Sequence, residues 1–257
     1  MGSEWFRRFG PAGGERGAGR GGVRLFCFPH AGGAASTFIP LSRELSGSVD
    51  VLAAQYPGRQ DRRREEPVAD IGRLADALAD AVLGQAEEEP YAFFGHSMGA
   101  VLAYETARRI AGRRADGPVR LFLSGRGAPG AAPNPRDRMR TDADIITAVR
   151  GLGGTAPKAL EDPELRAMVM PALRADYRAI GAYAWEPGEP LDIPFTVLIG
   201  DSDPVVGVGE ADAWRDFTTA PTRRKVFVGG HFYLDGQIGD VARTVTEALG
   251  VRIPART

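Results

Sequence analysis

Six short runs of apolar residues set the strongest limit on how this chain can fold. They are Arg24–Phe28, Val49–Gln55, Tyr91–Phe94, Val119–Leu123, Phe195–Ile199 and Lys225–Val228. Most are apolar almost throughout instead of alternating with polar residues. A strand that is apolar on both sides must be covered on both faces, which is the signature of a parallel sheet. Helical patterns separate the runs. Residues 70–85 place Ile71, Leu74, Leu78 and Val82 on one face behind an Asp70 cap. Further helices are predicted after Ser97, over 207–219 and over 237–249. Strand and helix in alternation, joined mostly by short links, predict a doubly wound α/β sheet.

One interval breaks the alternation. About seventy residues without a strand-like run separate Leu123 from Phe195, against a usual connection of ~4–6. The interval opens with the loop SGRGAPGAAPNP, passes a helical stretch near 142–150, and continues in a longer helix that starts at Asp162-Pro163-Glu164. Leu165, Met168, Val169, Leu173, Tyr177 and Ile180 form its apolar stripe, and Pro171 is expected to kink it. The interval reads as a helical insertion over 126–190 within one domain of 23–250, with a flexible arm at 1–22 and a tail at 251–257. Trp5, Phe6 and Phe9 are the arm residues expected to dock on the body. The turn GLGGTAPK lacks the Gly-Lys-Ser/Thr ending of a phosphate loop, so a nucleotide site is not expected.

Bulk properties exclude several classes. A net charge of −1 provides no field to recruit nucleic acid or membrane. No apolar run is long enough to span a bilayer, and the Arg7-Arg8 pair leads into Gly-rich chain, not into an export signal. The single cysteine, Cys27, forbids an internal disulfide and fits a reducing, cytoplasmic setting. No Cys/His spacing suggests a metal site.

The stretch that carries chemistry is YAFFGHSMGAVLAYE at 91–105. A strand ends, Gly95-His96-Ser97-Met98-Gly99 follows, and a helix begins. Gly-x-Ser-x-Gly in that context is a nucleophile elbow, a strained turn that lifts the serine above the strand ends. The two glycines are required because a Cβ at either place would strike the neighbouring backbone. Serine needs a base held by a carboxylate. The chain has three histidines, His30, His96 and His231. His96 adjoins the serine and its side chain should leave the turn in another direction. His231, in VGGHFYL after the last strand, is where the base belongs. The acid should follow the preceding strand, where both Asp201 and Asp203 stand in GDSDP. The loop after the 119–123 run, SGRGAPG, contains no carboxylate, which removes the other customary place for the acid. The oxyanion donors expected are the Met98 N–H and, from PHAGG after the first strand, the Ala31 N–H.

These residues resemble a known family, the stand-alone type II thioesterases of polyketide and nonribosomal peptide assembly lines. The matching stretches are FCFPHAGG (26–33), YPGR (56–59), FFGHSMGA (93–100), LSGRGAP (123–129), LGGTAP…LEDPEL (152–165), MPALRADY (170–177), GDSDPVV (200–206) and GGHFYL (229–234). Several lie in the insertion, so the resemblance is to this family rather than to α/β-hydrolases at large. It implies an α/β-hydrolase fold with a helical lid, Ser97 as nucleophile, His231 as base and Asp203 as acid, with the oxyanion held by Met98 and Ala31. It also implies acyl groups on the phosphopantetheine of carrier proteins as substrates, no cofactor of its own, and an editing task. Met168 and Leu173 are candidates to line an acyl chamber. Arg62-Arg63-Arg64 and Arg136, Arg138 and Arg140 are candidates to meet an acidic carrier protein, and a monomer is expected. The competing readings are a general carboxylesterase or lipase on the same fold, a chain-releasing thioesterase, and a non-catalytic carrier-binding protein.

Overall fold

The computed structural model describes residues 4–9, 22–85, 89–114, 117–130, 134–153 and 160–251. Seven strands form one sheet: β1 (Phe6–Arg8), β2 (Val23–Phe28), β3 (Val49–Ala54), β4 (Tyr91–His96), β5 (Leu121–Ser124), β6 (Phe195–Gly200) and β7 (Thr222–Phe227). Their order is β1-β3-β2-β4-β5-β6-β7. All neighbours are parallel except β1, which pairs antiparallel with β3. The helices are α1 (Ile39–Glu44), α2 (Ile71–Leu83), α3 (Met98–Ala111), α4 (Asp142–Leu152), α5 (Pro163–Ala182), α6 (Val208–Asp212) and α7 (Leu234–Leu249).

The central strands are buried on both faces, and their period of two divides the core. Phe26, Phe28, Phe93, Leu121, Leu123 and Val197 face a cluster built with α2, α3 and the insertion. Leu25, Cys27, Ala92, Phe94, Phe122 and Leu198 face a second cluster with α1 and α7. Cys27 is a free, buried thiol whose pKa burial pushes up, which makes it a small apolar filler.

Three expectations need correction. The arm placed at 1–22 is not wholly an arm, since its residues 6–8 are the edge strand β1. Phe6 is the reason: its ring meets Phe26 at 4.9 Å and Phe28 at 6.3 Å, edge to face, and little of it remains exposed. The last strand starts three residues earlier than the run Lys225–Val228 and ends one residue earlier, and apart from Phe227 it is not buried. Arg223, Arg224 and Lys225 stay exposed, because β7 is the sheet edge and cations there discourage pairing with another chain. The helix predicted over 207–219 is shorter, α6 followed by a 3₁₀ turn over Ala213–Phe217 that buries Trp214. The segments 10–21, 154–159 and 252–257 lie outside the described residues.

Among the described residues, the interval between β5 and β6 holds helices and no strand of the sheet. α5 runs through Pro171 without a break in the helix. Asp162 caps it by accepting from Glu164 N–H at 2.8 Å and Leu165 N–H at 3.0 Å. Within the insertion Arg126 and Asp137 form a buried ion pair, and the Trp214 indole N–H ties that segment to the body by donating to the Arg126 carbonyl at 2.8 Å.

Candidate active site

β4 ends at the centre of the sheet, and the chain turns directly into α3 through Ser97. That residue has φ 57° and ψ −119°, a conformation L-residues rarely adopt. A Cβ on Gly99 would lie 1.9 Å from the Phe28 carbonyl oxygen, and one on Gly95 would lie 2.1 Å from the Gly99 carbonyl oxygen. Only glycine lets the helix start press against the ends of β2 and β4, and that contact holds the serine in its strained pose. Ser97 N–H donates to the Ser124 carbonyl at 2.8 Å, which ties the elbow to β5.

The loops after β6 and β7 meet beside the elbow. His231 Nδ1 lies 2.9 Å from Asp203 Oδ2 and 3.1 Å from Oδ1, with both side chains out of solvent. Asp203 also accepts from Val205 N–H at 2.8 Å. Asp201 is exposed, accepts from Gly229 N–H at 3.0 Å and from the Ser202 hydroxyl, and does not reach the imidazole. Geometry thus separates the two aspartates of GDSDP: Asp203, which the resemblance implies, faces the imidazole, and Asp201 does not. After β5 the corner is Gly125 (φ 60°), where a Cβ would stand 2.7 Å from His96 Cε1 and 3.3 Å from His231 Cε1. No carboxylate side chain could sit at that corner without displacing the rings.

His231 Nε2 is buried without a hydrogen-bond partner, so Ser97 Oγ is not yet bonded to it. Nucleophile–base bonds are commonly long in unliganded enzymes and tighten with substrate. Neither the Met98 nor the Ala31 N–H has a partner among the described residues, while the next two amides after Ala31 do: Gly32 N–H donates to Asp176 Oδ2 at 2.7 Å and Gly33 N–H to the His30 carbonyl at 2.8 Å.

All three histidines gather here. The His96 ring lies 5.0 Å from His231 and 5.9 Å from His30. His96 Nδ1 meets Ser124 Oγ at 2.9 Å, and that hydroxyl meets Tyr233 OH at 2.6 Å. Burial, then the charges of His231 and His30, hold the His96 pKa well below the usual imidazole value. His30 is pushed down to about 3 by burial and then by His231 and Arg59; its Nδ1 is enclosed although the residue as a whole is half-buried. Two of the three imidazoles are therefore neutral at ordinary pH, and only His231 is backed by a carboxylate. Ser124 and Tyr233 were missed as site residues, although both stand in matched motifs.

The insertion candidates fare unequally. Leu173 is buried against the turn after β2, where a Cβ on Gly32 would meet its Cδ2 at 2.4 Å. Met168 is 62% exposed and packs little. Of the first arginine cluster, Arg62 is not a surface cation: it is buried, pairs with Glu65, donates to the Gln55 carbonyl at 2.8 Å and stacks over Trp5 at 4.5 Å. Arg63, Arg64, Arg138 and Arg140 are exposed, and the Arg136 side chain lies outside the described residues.

A sheet of this order, with the serine turn at its centre and the buried Asp203–His231 pair just beyond the ends of β6 and β7, places the protein in the α/β-hydrolase class. Residues 23–249 match the thioesterase domain family. The chain is 41% identical over 245 residues to thioesterase PikA5 of Streptomyces venezuelae, covering 95% of this chain and 85% of that one. It is 44% identical over 247 residues to a probable cadicidin biosynthesis thioesterase of Streptomyces griseus, using 96% of itself and spanning 66% of that protein. The solved structure of the type II thioesterase BorB, from the borrelidin biosynthetic cluster, is matched at TM-score 0.84 and 38% identity, over 95% of this chain and 97% of that one. The chain belongs to the thioesterase family and is a hydrolase. No helix among the described residues is long and apolar enough to cross a membrane.

Proposed function

We propose that this protein hydrolyses acyl groups from the phosphopantetheine thiol of carrier proteins in a polyketide or nonribosomal peptide pathway, clearing stalled or mis-primed chains. The observation that carries the reading is the buried His231–Asp203 pair, 2.9 Å apart, behind the Ser97 elbow. Asp203 orients the ring with Nδ1–H towards the carboxylate, leaving Nε2 to accept a proton. Ser97 Oγ attacks the thioester carbonyl as its proton passes to His231 Nε2. The tetrahedral oxyanion rests on the Met98 and Ala31 N–H groups. It collapses with loss of the thiol, which takes the proton from His231 and, with a pKa of ~8.5, is a good leaving group. Water then gives a proton to His231 and adds its hydroxide to the acyl carbonyl, and the second tetrahedral intermediate collapses as His231 returns that proton to Ser97 Oγ, freeing the acid.

The type II thioesterase and biosynthetic-cluster names of the relatives support the substrate class, and the exposed Arg63, Arg64, Arg138 and Arg140 support docking of an acidic carrier. The test is a panel of acyl-carrier thioesters, simple thioesters and oxygen esters with wild type and Ser97→Ala. The reading expects thioester turnover, highest on acyl-carrier substrates, and none in the variant. Preference for oxygen esters would instead indicate a general esterase, and undiminished turnover by Ser97→Ala would refute the mechanism.

A further inference from the structure

The turn that offers the Ala31 amide is gripped from the insertion. Leu173 and Asp176 stand three positions apart on α5, and so on one face of the helix. Leu173 packs on Gly32, which holds φ 76°. Asp176, fully buried, takes the Gly32 N–H on Oδ2 at 2.7 Å. The same oxygen accepts from Arg59 Nη1 at 2.7 Å, and Oδ1 accepts from Arg59 Nη2 at 2.9 Å. Arg59 Nη1 donates in addition to the Gly33 carbonyl at 3.1 Å, and Nη2 to the Pro57 carbonyl at 3.2 Å. Tyr56, with its ring 5.0 Å from the guanidinium carbon, donates its hydroxyl to the Pro29 carbonyl at 3.1 Å. The turn 29–33 is thus bound at Pro29, Gly32 and Gly33, while its Ala31 N–H stays open.

We infer that Asp176 is a positioning residue for the oxyanion hole: it fixes the peptide next to Ala31 from the insertion helix, and Arg59 cancels its charge. The inference rests on the reading of Ala31 as an oxyanion donor. Two physical points carry it. A hydrogen-bond donor stabilises a transition state in proportion to how well its direction is set in advance, so anchoring the adjacent peptide is worth rate rather than ground-state affinity. A lone carboxylate one residue from a developing oxyanion would oppose that charge, and a bidentate guanidinium removes the opposition. Neither residue reaches the reacting atoms in this scheme. Arg59 and Asp176 are separated by 117 positions and lie in YPGR and MPALRADY, two motifs for which the triad provides no use.

The test exploits the fact that a buried ion pair can often be exchanged for apolar residues of similar volume without loss of stability, whereas removing one partner strands a charge. The double variant Arg59→Met with Asp176→Leu is therefore made first. Removing a whole oxyanion donor costs ~10²–10³ in rate, so misdirecting one is expected to lower kcat on a small acyl thioester by ~10–100-fold, with KM changed by less than about threefold. Affinity for a trifluoromethyl ketone, whose adduct with Ser97 carries an oxyanion, should fall by the same factor as kcat. Affinity for a non-hydrolysable pantetheine amide should hold. A purely structural role predicts a shift in thermal midpoint without that split. Should the double variant not fold, Asp176→Asn replaces it, with a smaller fall in the same pattern. A folded variant with kcat and ketone affinity within about twofold of wild type overturns the inference. Ser97→Ala is run alongside: if it keeps turnover, the reading of the whole site fails; if it abolishes turnover while the pair variant is unaffected, only the role of Asp176 fails.

Discussion

Asp203 and His231 are 28 residues apart in the chain, yet their side chains meet at 2.9 Å and both are closed to solvent. The pair is formed by two loops that leave adjacent parallel strands, β6 and β7, on the same edge of the sheet. Asp203→Asn is expected to lower kcat by ~10³–10⁴-fold, because an amide no longer selects the tautomer that leaves Nε2 free. Asp201→Asn should stay within a few-fold of wild type. Steady-state turnover of a small acyl thioester compares them, and equal losses would mean that Asp203 has no special role.

The elbow glycines should be intolerant for a reason separate from chemistry. Gly99→Ala would place a methyl group 1.9 Å from the Phe28 carbonyl oxygen, which is backbone and cannot rotate away. A loss of about 3 kcal/mol or more is expected in urea unfolding, at the upper end of ordinary overpacking. A stability equal to wild type would show that β2 and α3 can move apart.

Acid should weaken the fold through two histidines outside the acid–base pair. His30 titrates at an ordinary 6.5 when unfolded and at about 3 when folded, and His96 shifts in the same direction. Between those values the unfolded chain binds more protons, so the stability present above the unfolded value is lost as pH falls through the window. Each group adds a slope of up to about 1.4 kcal/mol per pH unit, measurable as urea midpoints between about pH 7 and about pH 5. His30→Gln is expected to flatten that slope by close to one proton, and an unchanged slope would show that His30 is not kept neutral.

The N-terminal strand should matter for stability and not for chemistry. Phe6→Ala removes a ring wedged against Phe26 and Phe28, a change that costs about 3–5 kcal/mol in a closed core. The lower end is expected because β1 is three residues long and can yield. Thermal unfolding checks the loss. Turnover of the folded fraction should be unchanged, and a large fall in kcat would tie β1 to the site.

Much of this was legible before any coordinates. The fully apolar runs required a sheet covered on both faces, and covering it took helices between the strands. Gly95-His96-Ser97-Met98-Gly99 marked a strained strand-to-helix turn with Ser97 as its candidate nucleophile, because a turn that tight admits few residue types. The order of Ser97, the GDSDP loop and His231 pointed to acid and base. These signals are local: they follow from what neighbouring residues can and cannot do to one backbone.

What remained depended on contacts between distant segments. Whether Asp201 or Asp203 faces the imidazole turns on one residue of loop path, which no spacing encodes. Phe6 is expected from the sequence to dock on the body, but that it does so as an edge strand, packed against Phe26 and Phe28, is set by the fold. Arg62 reads as one of three surface cations, and only the fold buries it and stacks it over the Trp5 ring. The Arg59–Asp176 pair is invisible in the same way, since a buried charge is tolerated only when its partner arrives from elsewhere, here from 117 positions away. The chain alone thus determines which elements form and which residue type can react. Which charges pair, and which amides are left free, is decided by the tertiary structure, because burial and partnership are properties of the assembled whole.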